Sequence, residues 1–215
     1  MVEFNDFCVG ICFYNDSSIF RLLDSLPQYV QKIVIDGRFK LSTFANKLSD
    51  EAIRARIKSY PRTILVDAPD MLEHDKRNQY LNFMLGFKYG LMLDSDEYVL
   101  QADWEEFVKD CRRFDYGIYG VHFDIDSGSG GIFPRLWVNP SDWRYHTRHN
   151  LFLNNKTKEI TTSGEAGIRW HDQALKGLHI GMNDNQRTQE YIQTTFEYQK
   201  KLIEYEKKIK ELSLS

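Results

Sequence analysis

Short apolar runs alternate with amphipathic stretches along the first part of the chain, and this alternation restricts the fold more than any other feature. The runs at 7–13, 32–35, 63–66 and 89–93 have the length and apolar character of buried strands. Helical spacing of apolar residues separates one run from the next. Strands that alternate with helices predict right-handed crossovers and a mostly parallel sheet, and therefore an α/β fold.

Three amphipathic helices are predicted between these strands. The first begins near Asp16 or Ser17, either of which can cap it; the second begins near Asp50, and the third covers 74–87. Residues spaced three or four apart share one face of a helix, so each helix has one face that packs on the sheet. The residues expected on these buried faces are Ile19, Leu22, Leu23, Leu26, Ile53, Ile57, Tyr80, Leu81, Met84 and Leu85.

The predicted strands end in polar or turn residues. Because the carboxyl ends of parallel strands share one edge of a sheet, these side chains are expected to converge on one rim, where α/β sheets bind ligands. The apolar run 91–93 stops at Asp94-Ser95-Asp96, which supplies the carboxylate oxygens that hard cations prefer. A second Asp-x-Asp triplet, Asp124-Ile125-Asp126, is predicted to be solvated or to face an acceptor. The residues expected on the rim are Asn15, Asp16, Asp36, Asp67, Asp94 and Asp96.

The second half of the chain has a different pattern. A short helix is predicted from Asp103, which forms a capping box with Glu106, to about Arg113. Long strands at 116–126 and 132–138 follow, joined by a glycine-rich turn at 127–131, and shorter strands at 143–145 and 151–153 come next. We therefore predict one domain over 1–185, with a mostly parallel half at 1–100 and a mixed, mainly antiparallel half at 101–185.

A long helix is predicted at the end of the chain, from about 186 to 212 within a C-terminal segment 186–215. Its apolar residues follow heptad spacing, which is typical of a helix that packs on the body of the protein or pairs with a second copy. A homo-oligomer through this helix is therefore one expectation. The residues with this spacing are Tyr191, Tyr198, Leu202, Tyr205, Ile209 and Leu212.

Composition excludes several classes of protein. Hydrophobic residues make up 42% of the 215 residues and charged residues 27%, as in ordinary globular domains. The net charge of −3 and the absence of a basic block argue against nucleic-acid partners. No apolar run is long enough to span a membrane, and the N-terminus lacks the pattern of a signal peptide. Cys8, Cys12 and Cys111 cannot all pair, and Cys8 and Cys12 are expected to be buried thiols, which favours a reducing, cytoplasmic location.

The first 100 residues resemble the nucleotide-binding half of a GT-A fold glycosyltransferase of the family-2-like kind. The resemblance lies in "VGICFYND", "KIVIDG", "TILVDAP" and "DKRNQYLNFMLGFKYGLMLDSDEYV", in this order and at natural spacing. Tyr14-Asn15 matches the turn after the first strand, and Asp36 matches the aspartate that faces the nucleotide. The Arg77-Asn78 pair and the Asp94-Ser95-Asp96 triplet match the remaining motifs.

This resemblance implies a GT-A-like sheet and a glycosyltransferase. The enzyme would transfer a sugar from a nucleotide-diphosphate donor, such as a UDP- or GDP-sugar, to a glycan, protein or lipid acceptor. Asp94 and Asp96 would hold Mn²⁺ or Mg²⁺, which stabilises the charge of the leaving diphosphate. Lys76 or Arg77 would meet the pyrophosphate or the sugar. The residues implied for nucleotide binding are Tyr14, Asn15, Asp36, Asp67, Arg77 and Asp94.

The resemblance also raises the questions of a third metal ligand and of the catalytic base. Some GT-A enzymes use a C-terminal histidine as a metal ligand, and His179 and His149 are the candidates here. The position that resembles the family's acceptor-side glutamate is Asn150, which cannot act as a base. Asp172 and Glu165, in a glycine-containing loop, are the alternatives, and without either the enzyme would retain the configuration of the sugar.

Two other functions are compatible with an α/β chain of this kind. A sugar-phosphate nucleotidyltransferase would need a glycine-rich loop with Arg and Lys directly after the first strand, and "FYNDSS" offers none. A nonenzymatic scaffold that binds through its C-terminal helix would be favoured by loss of the metal carboxylates, and these are present.

Overall fold

A mixed eight-stranded sheet forms the body of the protein in the computed structural model. The structure describes residues 5–38, 48–125, 130–146, 148–158, 160–162 and 175–182, together with 197, 200–204 and 207. A second, three-stranded sheet stands beside the first. The described strands are β1 (Phe7–Phe13), β2 (Gln31–Asp36), β3 (Thr63–Asp67), β4 (Tyr89–Asp94), β5 (Glu97–Ala102), β6 (Gly117–Ile125), β7 (Gly130–Val138), β8 (Trp143–His146), β9 (Arg148–Asn154), β10 (Ile160–Thr162) and β11 (Leu178–Met182).

The sheet order is β3-β2-β1-β4-β7-β6-β11-β5. Strands β1 to β4 run parallel, as predicted. Strand β7 is antiparallel to both β4 and β6, and β11 is parallel to β6, so the carboxyl ends of β4, β6 and β11 share the edge of β1 to β3. The predicted change from a parallel half to a mixed half is confirmed.

Helices cover both faces of the large sheet. The described helices are α1 (Ile19–Ser25), α2 (Glu51–Ser59), α3 (Glu73–Phe83) and α4 (Trp104–Cys111). One core cluster gathers Phe7, Val9 and Ile11 of β1, and a second holds Cys8 and Cys12 of the same strand. Side chains of a strand alternate between the two faces of the sheet, so β1 contributes to both core clusters. Cys8 and Cys12 are buried free thiols, as predicted, and Cys111 is a third.

Strand β5 was not predicted, and its position shows that the sheet curls. Only Ser95 and Asp96 separate it from β4, yet three strands lie between the two in the sheet order. A flat sheet would put four strand spacings, roughly 19 Å, between them. Three residues of extended chain span about 10 Å. The far edge of the sheet must therefore curl back towards the end of β4.

The prediction that Leu85 faces the core is wrong. Helix α3 ends at Phe83, earlier than predicted, and Leu85 is 78% exposed. Met84 has left the helical conformation and Gly86 has a φ of 91°, so the chain turns away before Leu85 can join the buried face. The other residues predicted on the helix faces are buried or packed against a core cluster.

One predicted helix start differs from the observed cap, and another is confirmed. The N-cap of α1 is Ser18, and Asp16 contributes by accepting a 2.9 Å hydrogen bond from the Ser18 N–H at Oδ1. At α4, Asp103 Oδ1 accepts from the backbone N–H groups of Glu105 and Glu106, which confirms Asp103 as the cap.

Several predictions fall where the structure is not described. These are the turn at 127–129, the loop that carries Glu165 and Asp172, and nearly all of the helix predicted from 186 to 212. They stay predictions. Within the described residues, no helix is both long enough and apolar enough to cross a membrane.

Candidate functional site

The polar strand ends meet at one edge of the sheet, as the sequence predicts. Phe13 is paired with Asp36 across β1 and β2, Asp36 with Asp67 across β2 and β3, and Cys12 with Asp94 across β1 and β4. The backbone register therefore places the three predicted aspartates side by side along this rim. What each side chain contacts there differs strongly.

Asp94 lies between two guanidinium groups. Its Oδ1 is 2.7 Å from Arg77 Nη1, and its Oδ2 is 3.8 Å from Arg135 Nη2. Glu73 Oε1 accepts from Arg77 Nε at 3.2 Å, which fixes the arginine along α3. Burial acts to lower the pKa of Arg77, but Asp94 and the other negative groups around it outweigh burial and raise the pKa well above its ordinary value. Arg77 is therefore a permanent cation beside Asp94.

Arg135 was missed by sequence analysis, and a β-bulge explains its position. In the β6–β7 ladder Tyr119 pairs with Leu136 and Gly120 with Pro134, so Arg135 is the extra residue that has no partner in the register. A bulge re-aims the side chain it carries. Pro134 is the signal that was available, because a proline within a strand is confined to edges and bulges.

Glu97 holds Arg135 across the inside of the curl. Its carboxylate is 1% exposed, and its Oε1 and Oε2 accept from Arg135 Nη2 at 2.5 Å and from Nε at 3.2 Å. Burial raises the pKa of Glu97 to about 7, against the opposing effect of Arg135. Glu97 also accepts from the backbone N–H of Asp94 at 3.0 Å. The residue after the Asp-Ser-Asp triplet is thus part of the site.

Ser95 connects the triplet to the start of α1 through two hydrogen bonds. Its hydroxyl donates to Asp16 Oδ2 at 3.0 Å, and the Ser18 hydroxyl donates to the Ser95 carbonyl at 2.9 Å. The turn that holds Asp94 and Asp96 is therefore fixed from outside as well as by its own strand. Asp96 lies in this turn and is partly exposed.

Asp36 is fully buried among fixed partners. It accepts from the backbone N–H of Ser49 at 3.2 Å and from the Ser49 hydroxyl at 2.5 Å. It also pairs with Arg54, which bonds Asp67 Oδ1 at 2.7 Å through its other nitrogen. Arg54 was missed, although it lies three residues before the inward-facing Ile57 and so on the buried face of α2. The Asp67 side chain is 51% exposed and reaches solvent at the rim.

Asn15 adopts a left-handed conformation with a φ of 44°, which asparagine tolerates better than most residues. Its backbone N–H donates to the Ser49 hydroxyl at 2.7 Å, and its Oδ1 accepts from the Asp50 N–H at 3.0 Å. Tyr14 beside it is partly buried, with the Arg38 guanidinium 5.2 Å from its ring centre. Both residues thus belong to the same end of the rim as Asp36.

Lys76 and Asn78 connect elements of the fold. Lys76 is 1% exposed, and its ammonium donates to the carbonyls of Phe13, at 2.6 Å, and of Gly37. Burial lowers the pKa of Lys76. Asn78 donates to the Tyr145 carbonyl at 3.0 Å and accepts from the Tyr145 N–H at 2.8 Å, which ties α3 to β8. Of the two cations considered for the pyrophosphate, Arg77 is the one at Asp94.

Of the two predicted histidine ligands, only His179 has a described side chain, and it contacts a different aspartate. His179 pairs with Asp124, at 3.1 Å between Nε2 and Oδ2, and is opposite Gln101 in the β11–β5 ladder. Gln101 is four residues from Glu97, or about 13 Å along the strand. The side chain of His149 lies outside the described residues, as do Asp172 and Glu165. These four assignments therefore stay predictions.

The carboxylates at the triplet suit a hard divalent cation as donors, but they form a partial ligand set. Within the described part of the chain, no three His, Cys, Asp or Glu side chains stand close enough to hold a metal. Mg²⁺ and Mn²⁺ accept one or two protein carboxylates when phosphate oxygens and water complete the shell. Asp94 and Asp96 therefore fit a cation that arrives with a phosphorylated ligand.

Comparison with known proteins gives distant structural neighbours. No family model and no curated protein matches the chain. Among solved structures, S. aureus TarS is 16% identical over 59% of this chain and 23% of its own, with a TM-score of 0.44. TarS 1-349 in complex with UDP-GlcNAc is 17% identical over 59% of this chain and 36% of its own, with a TM-score of 0.44.

The complex of TarS 1-349 with UDP is 18% identical over 59% of this chain and 38% of its own, with a TM-score of 0.43. The matched region thus spans well under half of each TarS chain. Similarity at this level is too low to transfer a function, so function has to be inferred from the residues of the site.

Proposed function

We propose that this chain is a nucleotide-sugar glycosyltransferase with a GT-A-like fold, whose donor diphosphate binds with a divalent cation at Asp94 and Asp96. The observation that supports this most is the triplet itself. Two carboxylates stand at the carboxyl end of a central strand, at the edge where α/β sheets bind ligands, with Arg77 and Arg135 beside them. Carboxylates and guanidinium groups together suit a metal-diphosphate ligand.

The chemistry explains why both charges are needed at one place. The reaction breaks the bond between the anomeric carbon and a β-phosphate oxygen, and it forms a bond from that carbon to the acceptor oxygen. Mn²⁺ or Mg²⁺ held by Asp94 and Asp96 would supply Lewis-acid stabilisation of the leaving diphosphate. Arg77 is fixed by Glu73 and would keep a positive charge at the phosphates. The acceptor proton must pass to a base, for which Asp172 and Glu165 stay our candidates.

The other end of the rim is proposed to bind the nucleoside. Asp67 reaches solvent and Tyr14 offers an aromatic surface, so both are able to contact a base or ribose directly. Asp36 and Asn15 are proposed to keep this end of the rim in position. Their polar atoms bond Arg54, Ser49 and Asp50. The donor is proposed to be a UDP- or GDP-sugar.

Ligand-induced stabilisation tests this function. UDP or GDP at about 100 times its Kd, with Mn²⁺, should stabilise the chain by about 2.7 kcal/mol. For a domain of this size that is a rise in Tm of about 5–11 °C. Asp96→Asn should lose the Mn²⁺-dependent part of the shift, because the amide is a weaker ligand for a hard cation.

Asp115→Asn is the matched control. Asp115 is 92% exposed and pairs with Lys88, away from the triplet, so its variant should respond as the wild type does. If neither nucleoside diphosphate raises the Tm of the wild type with Mn²⁺, the proposed function is wrong. If Asp96→Asn keeps the full Mn²⁺-dependent shift, the metal assignment is wrong.

A further inference from the structure

We infer that Arg77 and Arg135 form a two-guanidinium clamp for the donor diphosphate, and that the Asp94 carboxylate lies between them where a phosphate of the donor would bind. This inference rests on the proposed function and adds Arg135 to its site. Guanidinium groups bind carboxylate and phosphate oxygens with the same geometry. An anion held between two arginines therefore marks a position where a phosphate would be equally well received.

The contacts of Arg135 favour a ligand-binding role. Glu97 takes the Nε and Nη2 groups of Arg135, and the Pro134 carbonyl accepts from Nη1 at 3.2 Å. A guanidinium has five N–H donors, so these acceptors account for three of them. The Arg135 side chain is 22% exposed, and its Nη2 faces Asp94 Oδ2 at 3.8 Å, which is too long for a hydrogen bond. The Arg135 guanidinium thus faces the Asp94 carboxylate without forming a hydrogen bond to it.

Two features of the fold, a β-bulge and the curl of the sheet, position the Arg135 side chain. The bulge removes Arg135 from the β6–β7 register, and the curl brings Glu97 of the far edge strand to it. A bulge next to a ligand site typically serves to re-aim a side chain. Stability alone is a weak reason for the buried Glu97–Arg135 pair, because well-packed apolar residues often replace such a pair without loss of stability.

The clamp also explains how Asp94 can serve two roles in turn. Its negative charge lies between the guanidinium groups of Arg77 and Arg135. A donor phosphate would bind these two arginines in its place, and the Asp94 carboxylate would then be available as a ligand for a cation. The net charge between the two guanidinium groups therefore changes little on binding, which limits the desolvation cost of delivering a diphosphate to this edge.

A double variant separates the clamp from a structural role. Arg135→Gln alone would leave the buried Glu97 carboxylate without its cation. The double variant Glu97→Gln/Arg135→Gln avoids this, because both side chains become neutral amides. The probes are UDP, UMP and uridine, and the matching guanosine series, measured by calorimetry with Mn²⁺. We expect the double variant to bind the diphosphate about 10- to 100-fold more weakly and the free nucleoside unchanged.

Lys88→Gln is the matched control, because Lys88 is 41% exposed and its partner Asp115 is 92% exposed, so no buried acid is left unpaired. It should leave all three affinities as in the wild type. An equal loss for diphosphate and nucleoside in the double variant would show a structural role and overturn the clamp. Unchanged diphosphate affinity would overturn it as well, while the proposed function would stand.

Failure of the proposed function gives a different result, since the wild type would then bind neither diphosphate. Should circular dichroism show that the double variant is unfolded, Arg135→Lys replaces it. This variant keeps the charge beside Glu97 but loses the planar fork. It should weaken diphosphate binding about 10-fold and spare the nucleoside, and an unchanged diphosphate affinity would contradict the clamp.

Discussion

Buried charges determine which rim residues can meet a ligand. Asp36 has all of its oxygens directed to Ser49 and Arg54, whereas Asp67, one strand further out, shares Arg54 and still reaches solvent. Burying an ionised group is costly unless it is paired, so each buried acid at this edge comes with a fixed cation. Two aspartates that look equivalent at the ends of β2 and β3 therefore have different roles.

Lys32 gives a residue-scale prediction that depends on pH. Its ammonium is 1% exposed and donates to the carbonyls of Val30 and Pro61. Burial, with help from Arg62, lowers the pKa of Lys32 to about 8. The unfolded chain then binds more protons than the folded chain between pH 8 and about 10.4, so stability must rise with pH across that window. Relative to Lys32→Met, the wild type should gain about 1–3 kcal/mol between pH 7 and pH 10.

Urea unfolding at a series of pH values measures this difference. Lys58→Met, at an exposed position of α2, controls for the loss of a surface charge. Parallel stability curves for the wild type and Lys32→Met across this pH range would show that Lys32 does not titrate as the fold implies.

The same residues show how far sequence reasoning reaches at this scale. Asp94 and Asp96 could be predicted because they follow an apolar strand directly, and strand ends in a parallel sheet share an edge. Arg54 and Arg135 could not, because each acts through a partner that is distant in the chain. Arg54 bonds aspartates 18 and 13 residues away, and Arg135 bonds a glutamate 38 residues away. Spacing along one element carries no information about such pairs.

At the scale of elements, the helices and strands of the parallel half were predictable, and their ends only in part. β1 was predicted with its observed bounds, whereas α3 ends before Leu85 because Met84 and Gly86 leave the helical conformation. Strand β5 was missed because it begins directly after the polar triplet. Its pairing partner, β11, lies more than 70 residues further along the chain. Local patterns predict an element well only when its own residues decide its limits.

Gly10 in β1 gives a prediction at this scale, because α3 packs directly onto it. A Cβ at Gly10 would lie 2.8 Å from Tyr80 Cγ and 2.8 Å from Met84 Cε. Met84 is flexible, but the Tyr80 ring is buried and its hydroxyl bonds that of Tyr145 at 2.7 Å, so it has little room to move. We expect Gly10→Ala to lower the free energy of unfolding by about 1–3 kcal/mol through overpacking.

Gly131→Ala is the control, since its Cβ would meet only the tip of the Phe133 ring, at 3.3 Å. Its effect on stability should stay within about 0.5 kcal/mol. Chemical denaturation of both variants measures the comparison. A neutral Gly10→Ala would mean that α3 can lift from β1, and Arg77 on that helix would then be less firmly placed than we infer.

At the scale of the whole molecule, contacts between the two halves of the chain build the site. The parallel half supplies Asp94, Asp96 and Arg77, and the second half supplies Arg135 on β7. The curl of the sheet brings them together, and it could not be predicted without knowing that β5 lies at the far edge. The row of strand ends along the rim was therefore predictable. The approach of Arg135 and Glu97 to Asp94 was not.

Asn78 carries the last prediction, because it joins the halves through α3 and β8. Its side chain makes two hydrogen bonds to the backbone of Tyr145, whose ring packs on Trp137 and Phe152. Asn78→Ala would leave a buried N–H and carbonyl without partners, which costs about 1–3 kcal/mol. The small sheet of β8, β9 and β10 should loosen first. Hydrogen exchange should therefore speed up more in peptides covering 143–154 than in those covering β1 and β2.

Asn155→Ala is the matched control, since the Asn155 side chain makes only a 3.5 Å contact with the Ser141 carbonyl. It should leave the exchange of both regions close to that of the wild type. Equal acceleration in β1 and in 143–154 for Asn78→Ala would mean that the two sheets open as one cooperative unit. The tie between α3 and β8 would then stabilise the whole molecule, and the second half would not move independently of the rim that holds Asp94.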